Sequence, residues 1–207
     1  MEDVTIAQWL GELASDAPAP GGGAAAALEV AMGAALVEMV CNLTIGKPAY
    51  AEHEEAMRAV LDRATPIRRE ALGLAAEDAA AFSSVIGAYR LPKATEEQTA
   101  ARSARIQAAL AAAADVPRRT AEAAITILDL AEALAPIANV NVISDAAVAA
   151  GAARAALQAA RLNIDANRSS IEDPELRAAL AAANDEIDRN LLRADEIVAA
   201  AQRRMSA

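Results

Sequence analysis

Apolar residues recur every three or four positions through most of the chain, and the interruptions fall at prolines, glycines and capping residues. That period is the α-helical one. Thr5, with Gln8 three residues on, forms a capping box and predicts a first helix over 5–15. Pro18, Pro20 and Gly21-Gly22-Gly23 break the pattern, and a long alanine-rich helix follows over 24–44, ending near Gly46 and Pro48. A helix over 50–63 precedes Thr65-Pro66, read as an N-cap and first-turn proline that open another helix to residue 89. Leu91-Pro92-Lys93 is a loop. Thr95 with Gln98 forms a second capping box for a helix to residue 114, and Pro117 starts one that ends before Pro136. Asn139-Val140-Asn141-Val142-Ile143 is the one short β-like run. Ser144 caps a helix over 145–168, and Asp173-Pro174 caps the last, over 174–204. No linker or repeat divides the chain. The pattern predicts an all-α fold, a single-domain bundle of seven or eight helices spanning 1–207.

Composition adds a packing problem. Of 207 residues 61 are alanine, against one Trp, two Tyr and one Phe. Alanine is the best helix former, and strands favour the aromatic residues that are scarce here, so a sandwich or doubly wound sheet is excluded. Alanine buries little area per residue, so the helices must pack closely and burial between subunits is expected. A homodimer follows, with Ala26, Val30, Gly33 and Val37, and Ala149, Ala152, Ala156 and Ala160, as its expected contact faces. The formal charge of −10 argues against non-specific nucleic-acid binding. A single cysteine excludes an internal disulfide; Cys41, in an apolar run, reads as a small buried hydrophobe. The one histidine, His53, lies among Glu52, Glu54 and Glu55 and reads as solvated. The acidic start, Met1-Glu2-Asp3, is no signal peptide, and the stretch from Gly21 to Val37 contains Glu29 and reads as a poor membrane span. The expectation is a cytoplasmic protein with no membrane and no nucleic-acid partner.

Polar residues break the apolar stripes of two helices. On the helix opened by Pro66, the stripe runs Ala71, Leu74, Ala75, then Phe82, Val85, Ile86, Tyr89, and Asp78 falls on it. A carboxylate on an apolar face is costly unless paired or used, so Asp78 is either functional or hydrogen-bonded to another helix. On the helix from Asp145, Ala149, Ala152, Ala153, Ala156 and Ala160 line one face that continues into Asn163 and Asn167, two amides placed to bond a partner helix or a flat ligand. Gly21, Gly22 and Gly23 offer backbone N–H groups to an anion or carbonyl, or form a plain flexible turn. Lys47 and Lys93 sit in proline-bordered loops, as fixed or ordinary surface charges.

Several segments carry a resemblance: Pro18 through Gly23, Met32 through Val37, Met39 through Lys47, Asp78 through Phe82, Leu91-Pro92-Lys93, Asp115-Val116-Pro117, and Asn139 through Asp145. In order along nearly the whole chain, they resemble the cyclodeaminase/cyclohydrolase family of folate enzymes. That family includes the cyclodeaminase half of formimidoyltransferase-cyclodeaminase and stand-alone bacterial methenyltetrahydrofolate cyclohydrolases, and the motifs and length here are nearer the latter. The resemblance implies a helical dimer that adds water to 5,10-methenyltetrahydrofolate to give 10-formyltetrahydrofolate, with the folate as substrate and no cofactor or metal. Ammonia-releasing closure of the same ring from formimidoyltetrahydrofolate is the alternative activity, and a non-catalytic helical scaffold the alternative class. The family's catalytic aspartate, four residues before the Phe, maps onto Asp78. With it, Lys47 is the candidate for polarising the intermediate or donating a proton. Asp145, with Asn139, Asn141 and Ser144, is the candidate pterin reader. Gly21 to Gly23 are candidates for the glutamate tail or pterin carbonyl, with Lys93 adding positive potential. Ala24 stands where the family commonly has serine, so no hydroxyl there is essential, and Ala94 replaces the usual Asn.

Overall fold

The computed structural model describes residues 4–205; Met1-Glu2-Asp3 lies outside them. Its six α-helices are α1 (Ile6–Leu13), α2 (Gly22–Asn42), α3 (Glu54–Tyr89), α4 (Glu96–Leu134), α5 (Ile143–Arg168) and α6 (Pro174–Met205). Two short 3-10 helices, Pro48–His53 and Val140–Val142, complete the regular structure among the described residues. The fold is all-α as the period predicts, with fewer and longer α-helices than seven or eight.

The difference comes from two prolines. Both Pro66 and Pro117 lie inside helices instead of starting them. An internal proline leaves the carbonyl four residues back without its donor. Pro66 is exposed, so that carbonyl can turn to water. Pro117 is buried, and the carbonyl it vacates, Ala113 O, accepts the Asn167 side-chain amide of α5 at 3.3 Å. A neighbouring helix thus supplies the missing donor, and α4 continues through 39 residues.

The caps follow the sequence in part. Thr5 and Gln8 close a full capping box, and Asp173 Oδ1 accepts the N–H groups of Glu175 and Leu176. Thr95 accepts the Gln98 N–H, but Gln98 Oε1 returns to Ala94 N–H at 2.9 Å, so the second box closes one residue early. Ser144 lies within the first turn of α5 and does not cap it. The β-like run is helical: Asn139 Oδ1 accepts Asn141 N–H and caps the 3-10 helix. Gly22 and Gly23 are the first two residues of α2, not a loop before it.

α2 is the central element, packed against α3, α5 and α4. At Gly33 it meets both α4 and α5 closely: a Cβ there would stand 3.1 Å from Ile127 Cγ2 and 3.3 Å from Ala149 O. Gly22 lies beside Asn163 and Gly33 beside Ala152, so α2 and α5 run antiparallel. The faces expected at a dimer contact are therefore mostly internal. Ala26, Val30, Gly33, Val37, Ala149, Ala156 and Ala160 are buried within one chain, with Ala152 at the seam. Alanines and Gly33 fill this space because the axes come close, not because a second subunit covers them. Cys41 is in the same core, where burial and nearby Glu38 push its thiol up to about 12. The stretch expected to be a poor span is, by length and composition alone, apolar enough to cross a membrane, as are Pro48–Tyr89 and Val140–Arg168. In this fold the apolar surface of α2 is largely taken up by three neighbouring helices.

Candidate active site

The first turn of α2, the middle of α3 and the last turns of α5 meet around a cleft of about 320 Å³. It brings together Gly21, Gly22, Gly23, Asp78, Asn163 and Asn167 from the sequence reading. Phe82, Val85 and the Pro18-Ala19 turn complete the walls.

Asp78 is held by the start of α2. A Cβ on Gly23 would stand 2.8 Å from Asp78 Oδ2 and closer still to Oδ1, so a side chain there would displace the carboxylate from this position. The Ala24 N–H, in the third residue of α2, points at that carboxylate. The N-cap Gly21 has no side chain to give, so Asp78 serves the helix end from outside. Two effects oppose each other at the carboxyl. Burial pushes its pKa above the ordinary 3.8, and the Ala24 amide pulls it down; burial wins. Neighbouring Glu77 faces away and pairs with Arg119 at 2.6 Å.

The two asparagines present acceptors. Asn163 Nδ2 donates to Ala159 O at 2.8 Å and Asn167 Nδ2 to Ala113 O at 3.3 Å. A carbonyl needs a donor, so each amide turns its nitrogen to the backbone and keeps its oxygen as an acceptor. Asp78 is the one charged residue lining the cleft. Acceptors and a negative charge against an apolar wall suit a flat cation that carries N–H donors.

The remaining sequence candidates do not reach this cleft within one chain. Lys47 follows Gly46, whose φ of 78° is left-handed and lies in the turn after α2, and it precedes the 3-10 helix Pro48–His53. Asn139 is buried beside it: its Nδ2 donates to Leu43 O and its N–H to Thr44 Oγ1. Val140 N–H donates to the Tyr50 hydroxyl, Asn141 Nδ2 to Asn139 Oδ1, and Ser144 and Asp145 sit in the first turn of α5. This group braces the far end of α2, about 30 Å from Asp78 at the helical rise per residue. Lys93 stands in the exposed α3–α4 loop, about 16 Å of helix axis beyond Asp78. Sequence reading left Phe82 out of the site, although its place four residues after Asp78 puts both side chains on one face.

A larger hollow of about 420 Å³ lies between the ends of α4 and α6. Its Arg204 is committed to structure, donating to Ala135 O and Ala138 O. Among the described residues no group of three or more His, Cys, Asp or Glu side chains is arranged to hold a metal ion.

Comparison with known proteins gives the family. The family model described as formiminotransferase-cyclodeaminase matches residues 5–186. The chain belongs to this family. Within the formiminotransferase-cyclodeaminase family, it is 51% identical over 169 residues to a methenyltetrahydrofolate cyclohydrolase of Methylorubrum extorquens, covering 82% of this chain and 81% of that one. It is 31% identical to formimidoyltransferase-cyclodeaminase of Rattus norvegicus, matching 83% of this chain but 32% of that longer protein. A solved formiminotetrahydrofolate cyclodeaminase of Thermotoga maritima superposes with a TM-score of 0.85 at 27% identity, covering 99% of this chain and 97% of that one.

Proposed function

We infer that this chain is a methenyltetrahydrofolate cyclohydrolase, hydrolysing 5,10-methenyltetrahydrofolate to 10-formyltetrahydrofolate. The observation that carries this is the 51% identity, over four-fifths of both chains, to a protein of that name. The cleft supports it chemically. The methenyl carbon bridges N5 and N10 in a planar cation and is already electrophilic. What it lacks is a deprotonated water. Asp78, half-buried with a raised pKa, is suited to take that proton. The water oxygen then bonds to the bridging carbon and the cation becomes a neutral carbinol. The C–N5 bond breaks as the carbinol O–H yields its proton to solvent and becomes the formyl carbonyl, while Asp78 returns its proton to N5. One proton is released overall, which balances the cation consumed. Asn163 and Asn167 offer acceptors to the ring N–H groups, and the first-turn amides of α2 offer donors to a carbonyl or carboxylate.

The protein is proposed to act as a homodimer. α2 leaves Leu28, Met32, Ala35, Met39 and Leu43 along its outer line, and α5 leaves Val148, Gly151, Ala155 and Leu162. Met32 is 56% exposed and Leu162 62%. Glu29, one turn before Gly33, lies toward this seam and its Oε2 is buried without a partner. Two helices about 30 Å long and 10 Å apart present on the order of 600 Å² per protomer, enough for a specific interface of about 1,200 Å² in total. A two-fold axis lying in the plane of this face and crossing the middle of both helices would set the Lys47 and Asp145 end of one protomer beside the Asp78 end of the other. In that arrangement Lys47 polarises the intermediate and Asp145 acts as the pterin reader.

The activity is tested by following loss of methenyl absorbance, with ammonia release from formimidoyltetrahydrofolate measured in parallel. Methenyl hydrolysis without ammonia release is the expected result. Ammonia release alone makes the chain a cyclodeaminase, as its structural neighbour is described, and neither activity leaves a scaffold.

A further inference from the structure

Phe82 is the only phenylalanine of the chain, and it is 45% exposed. The other aromatic side chains have structural employment. Trp9 is in the small core beneath α1, Tyr50 accepts the Val140 N–H, and the Tyr89 ring carries the Arg102 guanidinium 5.6 Å from its centre. Phe82 instead lines the wall of the cleft, one helical turn beyond Asp78, so its ring is set about 6 Å along the helix from the carboxylate. Leaving a large aromatic side chain half in water forgoes the stabilisation of burying it. The cleft holds no cation of its own, and the rest of the wall beside the ring is Ala81 and Val85.

We propose that Phe82 is a specificity residue whose ring face stacks on the planar amidinium of the substrate and so distinguishes the cationic ring-closed folate from its neutral formyl product. An aromatic face carries partial negative charge and attracts a delocalised cation, more strongly when water is excluded. The reaction removes that attraction. Once water has added, the bridging carbon is neutral and the ring holds it no better than an aliphatic side chain does. The contact therefore holds the ground state at least as well as the transition state, so its removal raises KM and leaves kcat unchanged or higher, according to how much cationic charge survives in the transition state. It also favours product release, because the product has lost the charge the ring recognised.

This inference rests on the cyclohydrolase reading and is tested beside it. KM for 5,10-methenyltetrahydrofolate, kcat, and the inhibition constant of 10-formyltetrahydrofolate are measured for wild type, Phe82→Leu and Phe82→Tyr. Leucine keeps apolar bulk and removes the ring face. The expected result is a KM raised about 5- to 30-fold in Phe82→Leu, the range a desolvated cation–π contact supports. With it go an unchanged or higher kcat, a product inhibition constant within about twofold of wild type, and restoration of KM by Phe82→Tyr. An equal loss of affinity for substrate and product makes the residue a plain apolar wall and overturns the proposal. So does unchanged KM with normal wild-type turnover, or a lowered kcat. A fall in melting temperature with kinetic constants intact assigns Phe82 to packing and also overturns it. Absence of wild-type turnover rejects the cyclohydrolase reading itself, and this inference with it.

Discussion

Asp78 stands out in the sequence because it interrupts an apolar stripe, and the structure supplies what the stripe cannot: the glycine that makes room for it and the helix end that faces it. Replacing Asp78 with Asn keeps the shape and the cap to α2 but removes the base. Turnover should fall about 10²- to 10⁴-fold. Stability moves the other way. A carboxyl whose folded pKa is raised binds its proton more tightly when folded, so its contribution is lost as pH rises from the ordinary 3.8 through the raised value. The Asn variant should therefore melt at or above the wild-type temperature at neutral pH; a clearly lower melting temperature counts against the assignment. The acid limb of kcat/KM should sit above 3.8 and vanish in the Asn variant. Gly23→Ala tests the same site without touching its chemistry. Alanine is the better helix former, yet its Cβ collides with the carboxylate, so activity should be lost while circular dichroism stays helical. Asn163 and Asn167 were legible by register on the α5 face. Lys47, Lys93 and the Asn139–Asp145 segment were legible only as motifs, and a motif carries no distance: nothing in the sequence says that α2 holds Lys47 a full helix length from Asp78.

At the scale of helices, the outcome turned on where proline sits. Read locally, Thr65-Pro66 and Pro117 are helix starts, because a proline at the first turn costs nothing. The sequence does not show which side chain from another helix will take up a vacated carbonyl. For Pro117 that side chain is Asn167, which places one wall of the cleft and one repair of α4 in the same residue. Asn167→Ala should cost about 1–3 kcal/mol, since Ala113 O is left without a donor in a buried setting. Pro117→Ala restores a backbone N–H to that carbonyl. The double variant should then melt above the single Asn167→Ala variant, and additive losses in thermal melts would show that the two residues are independent.

For the molecule as a whole, the alanine content predicted close packing, and the packing is there, but inside the chain. Gly33→Leu should therefore prevent folding and not merely dissociate subunits, because the glycine faces Ile127 and the Ala149 backbone within one bundle. The surface left for a partner is the outer line of α2 and α5, which no helical wheel distinguishes from the inner one when both are apolar. Light scattering should report twice the 21.2 kDa chain mass, and Met32→Glu with Met39→Glu should halve it while leaving helix content intact. A folded wild-type protein at the single-chain mass would reject the dimer.

Because Asp78 both faces the cleft and holds the first turn of α2, each protonation of the carboxyl also withdraws an anion from a helix terminus. The local opening of that turn is thereby tied to the proton that the proposed mechanism moves. Amide hydrogen exchange reads this link: the protection factor of the Ala24 N–H should fall as pH drops through the acid limb, while Val37, mid-core on the same helix, keeps its own. The central helix would then breathe at one end in step with turnover, on a clock set by a single carboxyl group.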